Sequence, residues 1–135
     1  MPINFSGQRI LILGAGVTGL VVARSLSKRG ALISIADDQI STVDGFDVAP
    51  SKSFDVKNFD AIMVSPGWKP NHPLITDAIS AGIKIMNEID LAWSLRAYLA
   101  PNQRWIALTG TNGKTTTVEL TAAILREGGI SAVAC

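Results

Sequence analysis

Two glycine-rich stretches in this 135-residue chain have the residue types and spacing to grip phosphate. In "GAGVTG", Gly14, Gly16 and Gly19 stand in G-x-G-x-x-G spacing between an apolar run and a helical pattern. Each glycine has its own task in phosphate binding: Gly14 makes the sharp turn, Gly16 lets a phosphate approach the backbone, and Gly19 lets the helix pack close to the strand. The helix N-terminus then offers free N–H groups and a positive dipole end to an anion. Asp37 lies 18 residues beyond Gly19, where an acidic side chain takes ribose hydroxyls in dinucleotide sites. The plainer alternative is that the glycines serve close packing and Asp37 is a solvated strand end.

The second stretch is "TGTNGKTTT", Thr109 to Thr117. The backbone N–H groups of such a loop cradle phosphates. Lys114 reaches the terminal phosphates, and the Thr115 hydroxyl can bind Mg²⁺. The strict spacing is G-x-x-x-x-G-K-[ST]; here Leu108 stands in place of the first glycine, and Gly110 lies three positions before Gly113. The loop is a variant, and it points to ATP. A third candidate is "SPGWKP" (65–70), where Ser65, Pro66 and Gly67 end another apolar run. Ligands collect at the carboxyl ends of strands in open parallel sheets, so this turn should face the same crevice as Gly14–Gly19 and Asp37. It also reads as an ordinary Pro-Gly turn. Trp68 reads as a partly covered loop aromatic, Lys69 as a surface lysine, and His72 as the start of a helix.

These loops need strands and helices to hold them. "RILIL" (9–13), "LISIA" (32–36), "AIMV" (61–64) and "IKIM" (83–86) read as buried strands. Helical patterns follow them: 17–30 with Gly30 as its stop, one from His72 with Pro73 in its first turn and Gly82 closing it, and 87–99. Asn87 is the expected N-cap of the last, with Glu88 and Asp90 in its first turn. Residues 39–60 allow only one short edge strand near Phe46–Val48. "APNQ" (100–103) reads as a linker. Beyond it, "WIALT" (105–109) is expected as a strand, 114–127 as a helix ended by Gly128 and Gly129, and "ISAVA" as the start of one more strand.

Strand–helix–strand alternation predicts an α/β protein with a Rossmann-like doubly wound parallel sheet over residues 1–99. Residues 104–135 would add the opening β–loop–α–β of a P-loop ATPase domain. Apolar residues make up 47% and charged residues 17%, enough for a packed core. A net charge of +1 without like-charge blocks gives no reason to expect nucleic acid or an anionic membrane as partner. Cys135 is the single cysteine, so no internal disulfide forms. The start "MPINFSGQRI" lacks the pattern of a secretory signal, and runs such as "ILIL" are too short to span a bilayer. The expectation is a cytoplasmic, monomeric protein.

"LGAGVTGL", "ADD", "VSPG", "HPLITDAISAGI", "NEIDLAW" and "LTGTNGKTTTVEL", in that order, resemble the Mur ligase family, the ATP-dependent amino-acid-adding enzymes of peptidoglycan synthesis. The SPG loop and the glycine-rich first turn resemble its D-glutamate-adding branch. The resemblance covers the whole chain and implies a three-domain parent, of which this chain holds the first domain and the start of the second. It implies a ligase of cell-wall biogenesis, linked to cell division and cell shape. Such an enzyme joins D-glutamate to UDP-N-acetylmuramoyl-L-alanine through an acyl phosphate, with ATP and Mg²⁺.

By that resemblance the first domain binds UDP rather than a dinucleotide. Val17 and Thr18 would sit at the diphosphate, Asp37 and Asp38 near the uridine, and Ser65, Pro66 and Gly67 along the nucleotide sugar. Gly110, Thr111, Asn112, Gly113, Lys114, Thr115 and Thr116 would hold ATP, with Thr115 on Mg²⁺ and Lys114 stabilising charge on the moving phosphoryl group. The helix 114–127 carries apolar residues around much of its circumference and wants burial on more than one side. The expectation is a fragment inactive as a ligase, with 104–135 weakly stabilised. The competing reading is an NAD-binding module, half a dehydrogenase or a regulatory domain, which leaves "TGTNGKTTT" unexplained.

Overall fold

The structure is a computed structural model that describes residues 4–43 and 45–135. The first three residues of the "MPINFSGQRI" segment read above therefore lie outside it. The chain divides into two compact units, Met1–Pro101 and Asn102–Cys135.

The first unit is built on one six-stranded sheet. In chain order its elements are β1 (Arg9–Leu13), α1 (Val17–Ser27), β2 (Leu32–Ala36), β3 (Thr42–Val43), β4 (Phe46–Ala49), β5 (Ala61–Val64), α2 (Pro73–Ser80), β6 (Lys84–Met86) and α3 (Glu88–Leu99). Two short 3-10 turns, Ser51–Ser53 and Val56–Asn58, lie between β4 and β5. The spatial order is β3-β4-β2-β1-β5-β6, with every pairing parallel except β3 against β4. The edge strand expected near Phe46–Val48 exists as β4, but the edge belongs to β3, whose hairpin-like pairing covers it.

Period-two alternation sorts the strands' side chains to two faces. Ile10, Ile12, Ile35, Met63 and Met86 point to one cluster, completed by Val22, Ala23 and Leu26 of α1 and Leu91 of α3. Leu11, Leu13, Ala36 and Ile62 point to the other, under Leu74, Ile75 and Ala78 of α2 and Val56 of the second 3-10 turn. Both faces are covered, which is why the strand sequences are apolar throughout and not alternating. Seven large side chains, including Ile10, Leu11, Ile12 and Leu13, are fully buried; each contributes at most about 1.5–3 kcal/mol.

Register decides the functional edge. Leu13 stands opposite Ala36 on one side and Val64 on the other. The ladder runs one step further: the Gly14 N–H donates to the Ala36 carbonyl (2.8 Å) and the Ser65 N–H to the Leu13 carbonyl (3.1 Å). Gly14, Asp37 and Ser65 therefore leave the sheet level with one another. Met63 faces Met86, so β6 delivers Asn87 and Glu88 to the same edge.

The second unit holds one helix, α4 (Lys114–Glu127). The strands expected at 105–109 and from Ile130 do not form, which corrects the predicted β–loop–α–β. A strand exists only through ladder bonds to a neighbour, and neither segment has a paired strand. Of α4 only Ala122 is buried, while Leu120 and Ile124 are exposed. Among the described residues no helix is long and apolar enough to cross a membrane.

Candidate functional site

A cleft of about 630 Å³ opens at the carboxyl edge of the first unit's sheet, within the usual size range of small-molecule sites. Its lining comes from three level loops: Gly14, Gly16, Val17, Thr18 and Gly19 after β1, Asp37, Asp38 and Gln39 after β2, and Ser65 to Lys69 with Asn71 and His72 after β5. The three loops predicted to share one crevice do share it.

The glycines divide the labour unevenly. A Cβ on Gly19 would lie 1.9 Å from the Gly14 carbonyl oxygen, so no side chain fits where α1 crosses the turn. Gly14 has φ +108°, and a Cβ there would meet the Ser65 Oγ at 3.0 Å and the Trp68 Nε1 at 3.1 Å. Gly16 has an ordinary φ of −72° and nothing within 4 Å of a Cβ. Its open space is cleft, not core. Gly16 is also the N-cap of α1 and supplies no side-chain cap. The first-turn N–H groups at Val17, Thr18 and Gly19 thus lack helix acceptors and stand at the cleft wall, an arrangement suited to an anion.

Asp37 is tied into the scaffold. One carboxylate oxygen accepts the Ala15 N–H (2.8 Å); the other accepts the N–H groups of Gln39 (2.8 Å) and Ile40 (2.9 Å). Burial pushes its pKa up, but the bonds from Ala15, Ile40 and Gln39 together outweigh that and leave it below the ordinary aspartate value. It clips the glycine turn to the β2 loop and keeps little lone-pair capacity for a ligand. Asp38 holds Ser51 through both the backbone N–H (2.8 Å) and the hydroxyl (2.9 Å).

His72 caps α2, its Nδ1 accepting the Leu74 N–H at 3.3 Å, as its place before Pro73 suggested. It also lines the cleft and stacks edge-on against Trp68, ring centres 4.5 Å apart. Two residues escaped the sequence reading entirely: Gln39 and Asn71, polar loop positions with no spacing pattern to mark them. Glu88, expected only as a helix-start carboxylate, shares a small void with Thr18 and Ser65, and its Oε2 is buried without a partner among the described residues. Only packing reveals that.

In the second unit, Gly113 (φ +75°) opens α4 with no side-chain cap, and the Lys114 Nζ folds back onto the Gly110 carbonyl at 2.6 Å. Gly110 itself has φ +154°. The loop residues Gly110 to Thr116 are exposed.

Residues 8–87 match the family described as Mur ligase MurD-like, N-terminal domain. The chain belongs to the Mur ligase family. The resemblance read from the motifs was therefore correct. Among curated Mur ligases, the UDP-N-acetylmuramoylalanine–D-glutamate ligase of Nocardia farcinica is 36% identical over 96% of this chain, and that of Leifsonia xyli 38% identical over 98%. The chain spans 29% of the length of each of these relatives. Among solved structures it is similar to a Mur ligase from Neisseria meningitides that acts on UDP-N-acetylmuramate, with a TM-score of 0.55 at 21% identity, over 95% of this chain and 44% of that one. That likeness supports the α/β fold alone.

Proposed function

We propose that the first unit is the uridine-nucleotide-binding domain of a ligase that joins D-glutamate to UDP-N-acetylmuramoyl-L-alanine at the expense of ATP. The observation that carries the reading is the uncapped start of α1 at Gly16, set in a cleft closed by the β2 and β5 loops. The names of the Nocardia and Leifsonia relatives supply the substrate class. The Val17 and Thr18 N–H groups receive the diphosphate, Asp37 and Asp38 shape the uridine end, and Ser65, Pro66 and Gly67 run along the sugar. An NAD-type ribose clamp is disfavoured because the Asp37 carboxylate already accepts three backbone N–H groups.

The second unit we read as the opening of an ATP-binding domain, with the linker near 100–103. Its geometry fits phosphate: uncapped N–H groups follow Gly113, and the Lys114 ammonium rests on a carbonyl that an anion would readily replace. Among the described residues no three His, Cys, Asp or Glu side chains gather to hold a metal. Thr115 would be one protein ligand of Mg²⁺, which when bound would neutralise phosphate charge. Lys114 steadies the transferring phosphoryl group, the substrate carboxylate becomes an acyl phosphate, and the amine of D-glutamate displaces the phosphate. Since the chain spans 29% of these relatives, we expect it alone to show no substrate-dependent ATP turnover. A cytoplasmic, monomeric enzyme without a nucleic-acid partner completes the proposal.

Parallel titrations with UDP, UDP-N-acetylmuramoyl-L-alanine and NAD test the reading. Both uridine nucleotides should bind. Binding of NAD with no response to either uridine nucleotide overturns the proposal. Asp37→Ala should weaken uridine-nucleotide binding, whereas Lys114→Ala should leave it unchanged; equal losses would mean that the two loops have exchanged roles.

A further inference from the structure

Trp68 brings to the glycine turn a hydrogen-bond donor that the family motifs leave out. Its backbone N–H donates to the Ser65 carbonyl at 3.1 Å, closing the turn that carries Pro66 and Gly67. The indole body packs against the apolar cluster under α2, and its ring meets His72 edge-on at 4.5 Å. The main-chain bond fixes the turn, and the two ring contacts place the indole before any ligand arrives. They set Nε1 beside Gly14: a Cβ built there would stand 3.1 Å from Nε1 and 3.0 Å from the Ser65 hydroxyl oxygen.

An indole N–H can only donate, and when half-buried it ordinarily finds an acceptor. No hydrogen bond from the Trp68 Nε1 is present among the described residues, although the side chain is half-buried and lines the cleft. The Leu13 carbonyl accepts the Ser65 N–H and the Ser65 carbonyl accepts the Trp68 main-chain N–H, so neither bond uses the indole donor. Asp37 faces the same turn and spends its carboxylate on Ala15, Gln39 and Ile40. A donor that has no acceptor among the described residues and lines the same cleft as Val17 and Thr18 is ready for an anionic oxygen.

We propose that Trp68 is a ligand-binding residue whose indole N–H donates to a diphosphate oxygen of the nucleotide at the Gly14–Gly19 turn. This rests on the uridine-nucleotide reading above and adds a specificity element to it. Trp68 rewards the diphosphate, not the base, and its ring serves as a fixed mount for that donor rather than as a stacking platform.

Proton–nitrogen correlation spectra of the full chain, labelled with ¹⁵N and titrated with UDP or with uridine, test it. The indole resonance that disappears in Trp68→Phe identifies the donor; phenylalanine keeps the ring against His72, and circular dichroism confirms that the variant folds. With UDP, the Trp68 indole proton should move downfield, while those of Trp93 and Trp105 stay in place. Uridine should not move it. By calorimetry Trp68→Phe should bind UDP about tenfold more weakly, the loss of one charge-assisted bond. If UDP shifts the Val17 and Thr18 amides but leaves the indole unmoved, or if Trp68→Phe binds UDP like the wild type, the role of Trp68 is refuted and the nucleotide site survives. An equal indole shift with uridine refutes the diphosphate contact. If millimolar UDP shifts neither the amides nor the indole, both readings fall.

Discussion

At the scale of single residues, three glycines that look alike in sequence do different work. Gly19 is sterically forced, because a Cβ would lie 1.9 Å from backbone. Gly19→Ala should destabilise the first unit by about 3 kcal/mol, seen as a lower denaturation midpoint. At Gly16 a Cβ would stand in open cleft. Gly16→Ala should shift stability by less than about 0.5 kcal/mol yet weaken UDP binding by roughly an order of magnitude. Equal stability losses in the two variants would show that Gly16 is a packing glycine too. Asp37 gives a prediction in pH. Its folded pKa is depressed, so its contribution is complete above the unfolded value of about 3.9 and disappears as pH falls through the folded value. Asp37→Asn should therefore cost about 1 kcal/mol at neutral pH, allowing for solvent screening. The gap to wild type should close as denaturation is measured progressively below pH 4. A gap unchanged at pH 3 would mean that the charge is irrelevant to the clip.

At the scale of elements, helix ends were legible because capping chemistry is local. Asn87 and Asp90 form a reciprocal capping box: Asn87 accepts the Asp90 N–H at 2.8 Å and Asp90 accepts the Asn87 N–H at 3.0 Å. Asn87→Ala should cost about 1 kcal/mol, and thermal melts should show it. The strands of the first unit were legible for a related reason, since apolar runs flanked by Gly and Asp suit a sheet covered on both faces. The same signal misled at 105–109 and from Ile130. Those runs are as β-prone as β1, but a strand is a property of a pair. α4 formed without them because its bonds are internal to the segment, yet it carries little buried surface. Its amides should exchange with solvent at least about tenfold faster than those of β1; comparable protection, read by hydrogen exchange, would show that α4 is stabilised beyond the contacts of Ala122.

At the scale of the whole molecule, the two phosphate-type loops sit on separate compact units, and among the described residues only the first has a sheet behind it. That sheet is why a built cleft surrounds Gly14. The amino-acid sequence determined by itself the order of strands and helices up to Leu99 apart from β3 and the two 3-10 turns, together with the two glycine loops and the family, because these depend on short-range patterns of apolar spacing, turns and caps. Tertiary structure alone decided the rest. It levelled Leu13, Ala36 and Val64, and so brought loops 14–19, 37–39 and 65–72 into one cleft. It turned Asp37 from a free ribose acceptor into a clip on the Ala15 N–H, and it held the Trp68 indole beside Gly14. Register, clash and leftover hydrogen-bonding capacity belong to residues far apart in the chain, and no local pattern encodes them.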